Sequence, residues 1–154
     1  MPVADDTVAY RRNLPHLSKT GKTYFVTFRT NFGFRIPERS RHFVLQSCAY
    51  DHGILHWLHT AVVMPDHVHL VLTPFDATLA AILRRVKSAS AYRVNRDLLR
   101  TGPLWRRESF DHILRSNEGL RKKCEYVLQN PVRAGLVSTW ESYPWHWRAD
   151  SEAS

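Results

Sequence analysis

Hydrophobic and polar positions change period several times along the chain, and each change marks an element. Tyr24–Thr30 (Tyr-Phe-Val-Thr-Phe-Arg-Thr) is rich in β-branched and aromatic residues and predicts a first strand. Pro37 suits the start of a helix that carries Phe43, Val44, Gln46 and Ala49 and stops before Gly53. Ile54–Met64 predicts a second strand, Pro65-Asp66 a turn, and the alternation of His67–Thr73 a third strand. Asp76 or Thr78 caps a second helix, whose apolar positions Leu79, Ile82, Leu83, Val86 and Ala89 recur at helical spacing. It runs to about Leu99, before Gly102-Pro103 breaks it. Trp105–Leu114 predicts a fourth strand, although it carries several charges. Ser116 or Asn117 caps a last helix, continued by Leu120, Cys124, Val127 and Leu128. Pro131 disfavours helical geometry in the residue before it, so this helix ends near Asn130.

The order is β-α-β-β-α-β-α. Two hairpin-linked strands between crossover helices predict an α+β fold, a ferredoxin-like (split βαβ) antiparallel sheet with helices on one face. A length of 154 residues suits a single domain over 1–154, with loose ends at about 1–18 and 149–154. The chain has no internal repeat and no low-complexity tract.

Composition adds one departure from ordinary globular usage. Hydrophobic residues make up 44% and charged residues 23%, which excludes wholesale disorder. The 22 Lys and Arg against 14 Asp and Glu leave a formal charge of +8. That favours an anionic partner, nucleic acid first and a membrane surface second. The basic residues avoid the stretch from His42 to Ala81 altogether, so the middle reads as core between two basic segments able to line a groove. Two cysteines, Cys48 and Cys124, make no disulfide framework and have no metal spacing. The acidic start lacks the apolar run of a signal peptide, and no apolar stretch approaches the roughly 18 residues of a membrane span. The expectation is a soluble cytoplasmic protein without membrane association.

Chemistry concentrates in three segments. In Met64-Pro-Asp-His-Val-His-Leu-Val-Leu72, strand geometry projects His67 and His69 to one face while Val68, Leu70 and Leu72 take the other. Such a pair is either two ordinary histidines or the start of a site for one metal ion with positions left for phosphate and water. In Lys122-Lys-Cys-Glu-Tyr-Val-Leu-Gln-Asn130, helical spacing stacks Lys122, Tyr126 and Asn130 along one face. A tyrosine hydroxyl beside a cation can serve as a nucleophile, and an asparagine amide oxygen can join a metal site; alternatively the Tyr126 ring packs in the core. In Gly102–Ile113, basic residues alternate with Trp105, Phe110 and His112, a pattern for gripping phosphates and stacking on bases. Trp105, Trp145 and Trp147 read equally well as packing residues, and Arg84, Arg85, Lys87, Arg93 and Arg96 as the solvated face of a helix. Tyr92 is the rival nucleophile but has no carboxamide four residues on; Tyr10, Tyr24, Tyr50 and Tyr143 lack such a neighbourhood.

With these residues assembled, the chain resembles the REP-associated tyrosine transposases, single-tyrosine members of the HUH (His, hydrophobic, His) superfamily related to IS200-like enzymes. The match rests on Val63-Met-Pro-Asp-His-Val-His-Leu70, on Gly102-Pro-Leu-Trp105 with Ser109-Phe-Asp-His112, and on Tyr126-Val-Leu-Gln-Asn-Pro-Val-Arg-Ala-Gly-Leu-Val137. Tyr143-Pro-Trp145 adds to it, and Lys19–Tyr50 matches only loosely. The resemblance implies a metal-dependent endonuclease and strand transferase acting on single-stranded, hairpin-forming DNA of palindromic repeats. It makes His67, His69 and Asn130 ligands of Mg²⁺ or Mn²⁺, and Tyr126 the nucleophile that forms a 5′-phosphotyrosine bond. Imidazole and oxygen ligands would also take Zn²⁺ or Cu²⁺, so the choice of metal comes from the resemblance. Lys87, Arg93, Arg96, Trp105, Arg106, Arg107, Lys122 and Arg133 are the candidate DNA contacts. Relatives include homodimers and monomers, and both states carry over. The competing readings are a catalytically silent nucleic-acid-binding module and a phosphodiesterase that uses water.

Overall fold

The computed structural model describes residues 21–149, so the expected loose N-terminal segment lies outside the described residues. Its elements are β1 (Thr23–Thr30), α1 (Glu38–Ala49), β2 (His56–Val63), β3 (His67–Pro74), α2 (Leu79–Leu98), β4 (Trp105–Leu114), α3 (Asn117–Leu128), α4 (Asn130–Arg133) and β5 (His146–Arg148). One antiparallel sheet has the order β4-β1-β3-β2-β5. The first four strands are the expected split βαβ arrangement, and β5 is an addition on the outer edge of β2. Ala149, expected to be loose, donates its amide to the His59 carbonyl at 3.0 Å and extends that pairing.

Local chemistry sets the helix ends. Thr78, not Asp76, caps α2 by accepting from the Ala81 amide at 3.1 Å. Ser116 caps α3 by accepting from the Gly119 amide at 2.9 Å. Pro131 ends nothing abruptly: α3 stops at Leu128, and the proline sits in the first turn of α4, where its missing N–H costs no helical bond.

The sheet has two apolar faces, and this corrects the expected placement of all helices on one side. On the first, Val26, Phe28, Leu58, Val68, Leu70 and Leu72 pack against Val44 and Cys48 of α1 and Ile82, Leu83 and Val86 of α2. On the second, Phe25, Val62 and Val71 pack with Met64, Val127 and Leu128 of α3, and Tyr143. Each fully buried aliphatic side chain contributes about 1.5–3 kcal/mol, so α3 is anchored firmly by a few residues. Periodicity names a helix's apolar side but not the sheet face that side will meet. The second face is the one to which the parity of β3 directs His67 and His69.

Candidate active site

Three backbone amides fix the turn that presents the histidines. Thr30 donates to the Asp66 carbonyl at 3.0 Å, Ile36 to the Pro65 carbonyl at 2.7 Å and Met64 to the His67 carbonyl at 2.7 Å. Beyond the turn, His69 lies opposite Thr27 and His67 opposite Arg29 across the β1–β3 ladder. Each ring is held through Nδ1: His67 contacts Asp66 Oδ1 at 2.8 Å, and His69 contacts Thr27 Oγ1 at 2.8 Å. With Nδ1 donating, both rings keep the Nε2 lone pair for a ligand, the usual arrangement behind metal-binding histidines. The ring centroids are 4.8 Å apart.

Electrostatics favours the neutral form of both. Burial pushes His69 down to about 3, helped by the positive charges of Arg29, Arg133 and Lys123. Burial also lowers His67, against the opposing pull of the Asp66 carboxylate. A neutral imidazole is what a cation requires. Both cysteines are free, and burial pushes their thiols up to about 12, so neither is a poised nucleophile.

The tyrosine arrives from α3 on the same face. Tyr126 is 48% exposed. Its ring stands edge-on to Phe25 at 6.5 Å, and Phe25 in turn stacks on His69 at 5.5 Å, so one aromatic ring separates the tyrosine from the histidine pair. Two cations flank the Tyr126 ring: Lys123 Nζ at 4.7 Å and the Arg133 guanidinium at 4.0 Å from the centroid. Arg133 also donates to the Tyr126 carbonyl at 2.7 Å and reaches the Asn130 amide oxygen at 3.5 Å. Asn130 thus shares one guanidinium with the tyrosine four residues before it.

Two neutral imidazoles on one face, each with Nδ1 engaged, are a donor pair that suits a divalent cation. Among the described residues no group of three or more His, Cys, Asp or Glu side chains could hold one. A cation here would rest on the two Nε2 atoms and the Asn130 amide oxygen. The buried amide nitrogen of Asn130 has no partner among the described residues, and such groups point to a missing neighbour. Rotating the amide would bring its oxygen to that position, at the cost of turning its NH2 toward the Arg133 guanidinium now 3.5 Å from the oxygen.

The candidate DNA contacts divide. Arg133 belongs to the site, as described above. Lys122 points to Glu118 at 3.1 Å; the lysine that meets Tyr126 is Lys123, three residues before it and therefore also a facial neighbour. Arg106 and Arg107 are exposed on β4, an edge strand. Trp105 is buried, donating its indole N–H to Ser90 Oγ at 2.9 Å and packing on Phe28 at 4.7 Å, so it is a core residue. Lys87, Arg93 and Arg96 lie on α2, which covers the opposite face of the sheet. Lys87 donates to the Arg106 and Arg107 carbonyls at 3.1 and 3.2 Å, Arg93 to Gln46 at 2.8 Å, and Arg96 to the Tyr92 hydroxyl at 3.0 Å. The structure does not bring these three, or Tyr92, to the histidines. An open groove of about 750 Å³ lined by Gln46, Tyr50, Asp51, Arg85 and Arg93 lies between α1 and α2, also away from them. Sequence reasoning missed Thr27 and Phe25, whose roles emerge only from cross-strand register. Among the described residues no helix is long and apolar enough to cross a membrane.

No family model matches the chain. It is 22% identical over 135 residues to a Haemophilus influenzae protein assigned as a REP-associated tyrosine transposase, covering 80% of this chain and 70% of that one. Its fold is similar to that of a REP-associated tyrosine transposase solved bound to a REP hairpin, with a TM-score of 0.64 and 19% identity over 82% of this chain and 76% of the other.

Proposed function

From this similarity to REP-associated tyrosine transposases in sequence and in fold, we propose that the chain is a metal-dependent endonuclease and strand transferase for single-stranded, hairpin-forming DNA. The observation that carries the reading is the convergence on one sheet face of two neutral histidines with free Nε2 atoms and a half-exposed tyrosine flanked by two cations.

His67, His69 and Asn130 would hold Mg²⁺ or Mn²⁺, which when bound supplies polarisation of the scissile phosphate. Lys123 and Arg133 set two positive charges beside the Tyr126 ring and attract the DNA backbone. The Tyr126 oxygen attacks phosphorus and the bond to the 3′ oxygen breaks. The phenolic proton passes to water, the departing 3′ oxygen takes one up, and a 5′-phosphotyrosine bond remains. A second 3′-hydroxyl reverses the exchange and joins two strands, with no nucleotide cofactor because the phosphotyrosine keeps the bond energy.

The test is a hairpin oligonucleotide with single-stranded flanks, incubated with Mn²⁺ and resolved on a denaturing gel. A protein–DNA adduct is expected with the wild type and with Tyr92→Phe, and none with Tyr126→Phe. His67→Ala should abolish cleavage and leave hairpin binding largely intact. Cleavage without adduct would favour attack by water, and binding without cleavage a silent module.

A further inference from the structure

The side of the sheet that carries the candidate site is only half covered. Helix α3 rests on β2 and β3; at the end of β4 Leu114 packs with its cluster, whereas Phe110, two turns of the pleat earlier on the same face, stays open. Phe110 is the consequence: it lies opposite Thr27 in the β1–β4 ladder, yet remains 59% exposed. Its ring meets Phe25 edge-on at 6.3 Å and His112 at 5.7 Å, and His112 contacts Phe25 at 5.4 Å. Phe25 is thus the floor of an aromatic shelf, with Tyr126 and His69 on one side and Phe110 and His112 on the other. Lys123 Nζ lies 4.5 Å from the Phe25 centroid, and Arg106 and Arg107 are exposed earlier on β4. The alternation of basic and aromatic residues in this segment reads as a stacking pattern, but Trp105 is spent in the core, which leaves Phe110 as its open ring.

We infer that Phe110, with His112 beside it, is a stacking platform for an unpaired base next to the cleaved phosphate. This rests on the single-stranded DNA reading of the site. A flat apolar ring, exposed and in contact with the Phe25 ring that carries Lys123, matches the chemistry of single-strand binding, in which aromatic faces take bases and cations take the backbone. The shelf lies one ring, Phe25, away from both the nucleophile and His69, so the base it holds belongs to a nucleotide adjoining the scissile phosphate and not to the hairpin stem. Its grip is tolerant of base identity, because every base offers a π-face.

The experiment uses the full chain and hairpin oligonucleotides bearing 2-aminopurine at one unpaired flank position at a time. Wild-type protein should quench the probe strongly at a single position near the cleavage point. Phe110→Ala and Phe110→Leu should lose that quench and weaken binding of the flanked hairpin about tenfold, Phe110→Trp should retain both, and the hairpin without flanks should bind all four proteins equally. Equal quenching and affinity in wild type and Phe110→Ala would overturn the platform, as would an equal loss on the flankless hairpin. Wild-type adduct formation reports separately on the chemistry: position-specific quenching without an adduct leaves the platform standing and removes the nuclease, whereas an adduct with Phe110-independent quenching does the reverse.

Discussion

Replacing Thr27 with valine tests the link between the sheet and the chemistry. The substitution keeps a β-branched side chain of similar shape in the centre of β1 and removes one oxygen, the Oγ1 that lies 2.8 Å from His69 Nδ1. Thr27 is buried, so no water replaces the lost acceptor freely. Stability should fall by about 1–2 kcal/mol, the cost of a lost hydrogen bond with its partner left buried. The larger effect falls on the imidazole, which loses the contact that fixes both its orientation and the nitrogen that carries the proton. Losses of such supporting contacts weaken metal binding about 10- to 100-fold, or about 1.4–2.7 kcal/mol. The Mn²⁺ concentration giving half-maximal adduct should rise by that factor, and direct Mn²⁺ binding, followed by the EPR signal of the free ion, should shift in parallel. Thr27→Ser restores the hydroxyl and should restore most of the affinity. A Thr27→Val protein with wild-type Mn²⁺ dependence in both assays would refute the assignment of His69 as a ligand held through Nδ1.

Three further outcomes follow from the packing. Burial pushes His59 to about 3 and His56, against the pull of Asp51, to about 4; between those values and 6.5 the unfolded chain holds more protons, so stability falls as the pH falls. At pH 5 each histidine should have removed about 2 kcal/mol, read as a lower urea midpoint than at pH 7, and equal midpoints would contradict it. Tyr143→Phe removes the buried hydroxyl that donates to the Val63 carbonyl at 2.6 Å and should lower the melting temperature by about 2–4 °C, for about 1 kcal/mol lost. Trp105→Phe loses the bond to Ser90 and should cost about 1–3 kcal/mol of stability while leaving the hairpin dissociation constant unchanged; a weakened hairpin complex in a fully folded variant would return Trp105 to the DNA surface.

The strands of the split βαβ core and their parity were legible because they are long and regular. The alternation in His67–Pro74 places the histidines together from sequence alone, and their shared face is the one observed. Tyr126 and Asn130 were likewise legible as neighbours four residues apart. What local pattern does not encode is the meeting of distant surfaces. The face chosen by α3 depends on Val127 and Leu128 finding Val62 and Val71. Arg93 reads as solvated or DNA-bound because Gln46, its partner, is 47 positions away. Trp105 reads as a stacking residue until the β1–β4 pairing, irregular between Phe28 and Thr30, sets it against the core. β5 escapes notice because three residues carry too little alternation to register.

The Pro65-Asp66 turn has a thermodynamic consequence. Its carbonyls are tied to Thr30 and Ile36, and its closing amide to His67, so the conformational entropy of holding the two imidazoles side by side is lost when the chain folds and not when a ligand arrives. A divalent ion should therefore enter with little ordering of backbone and a heat-capacity change near zero. It should raise the melting temperature only by mass action, as an ion does when it fills a finished socket and does not build one.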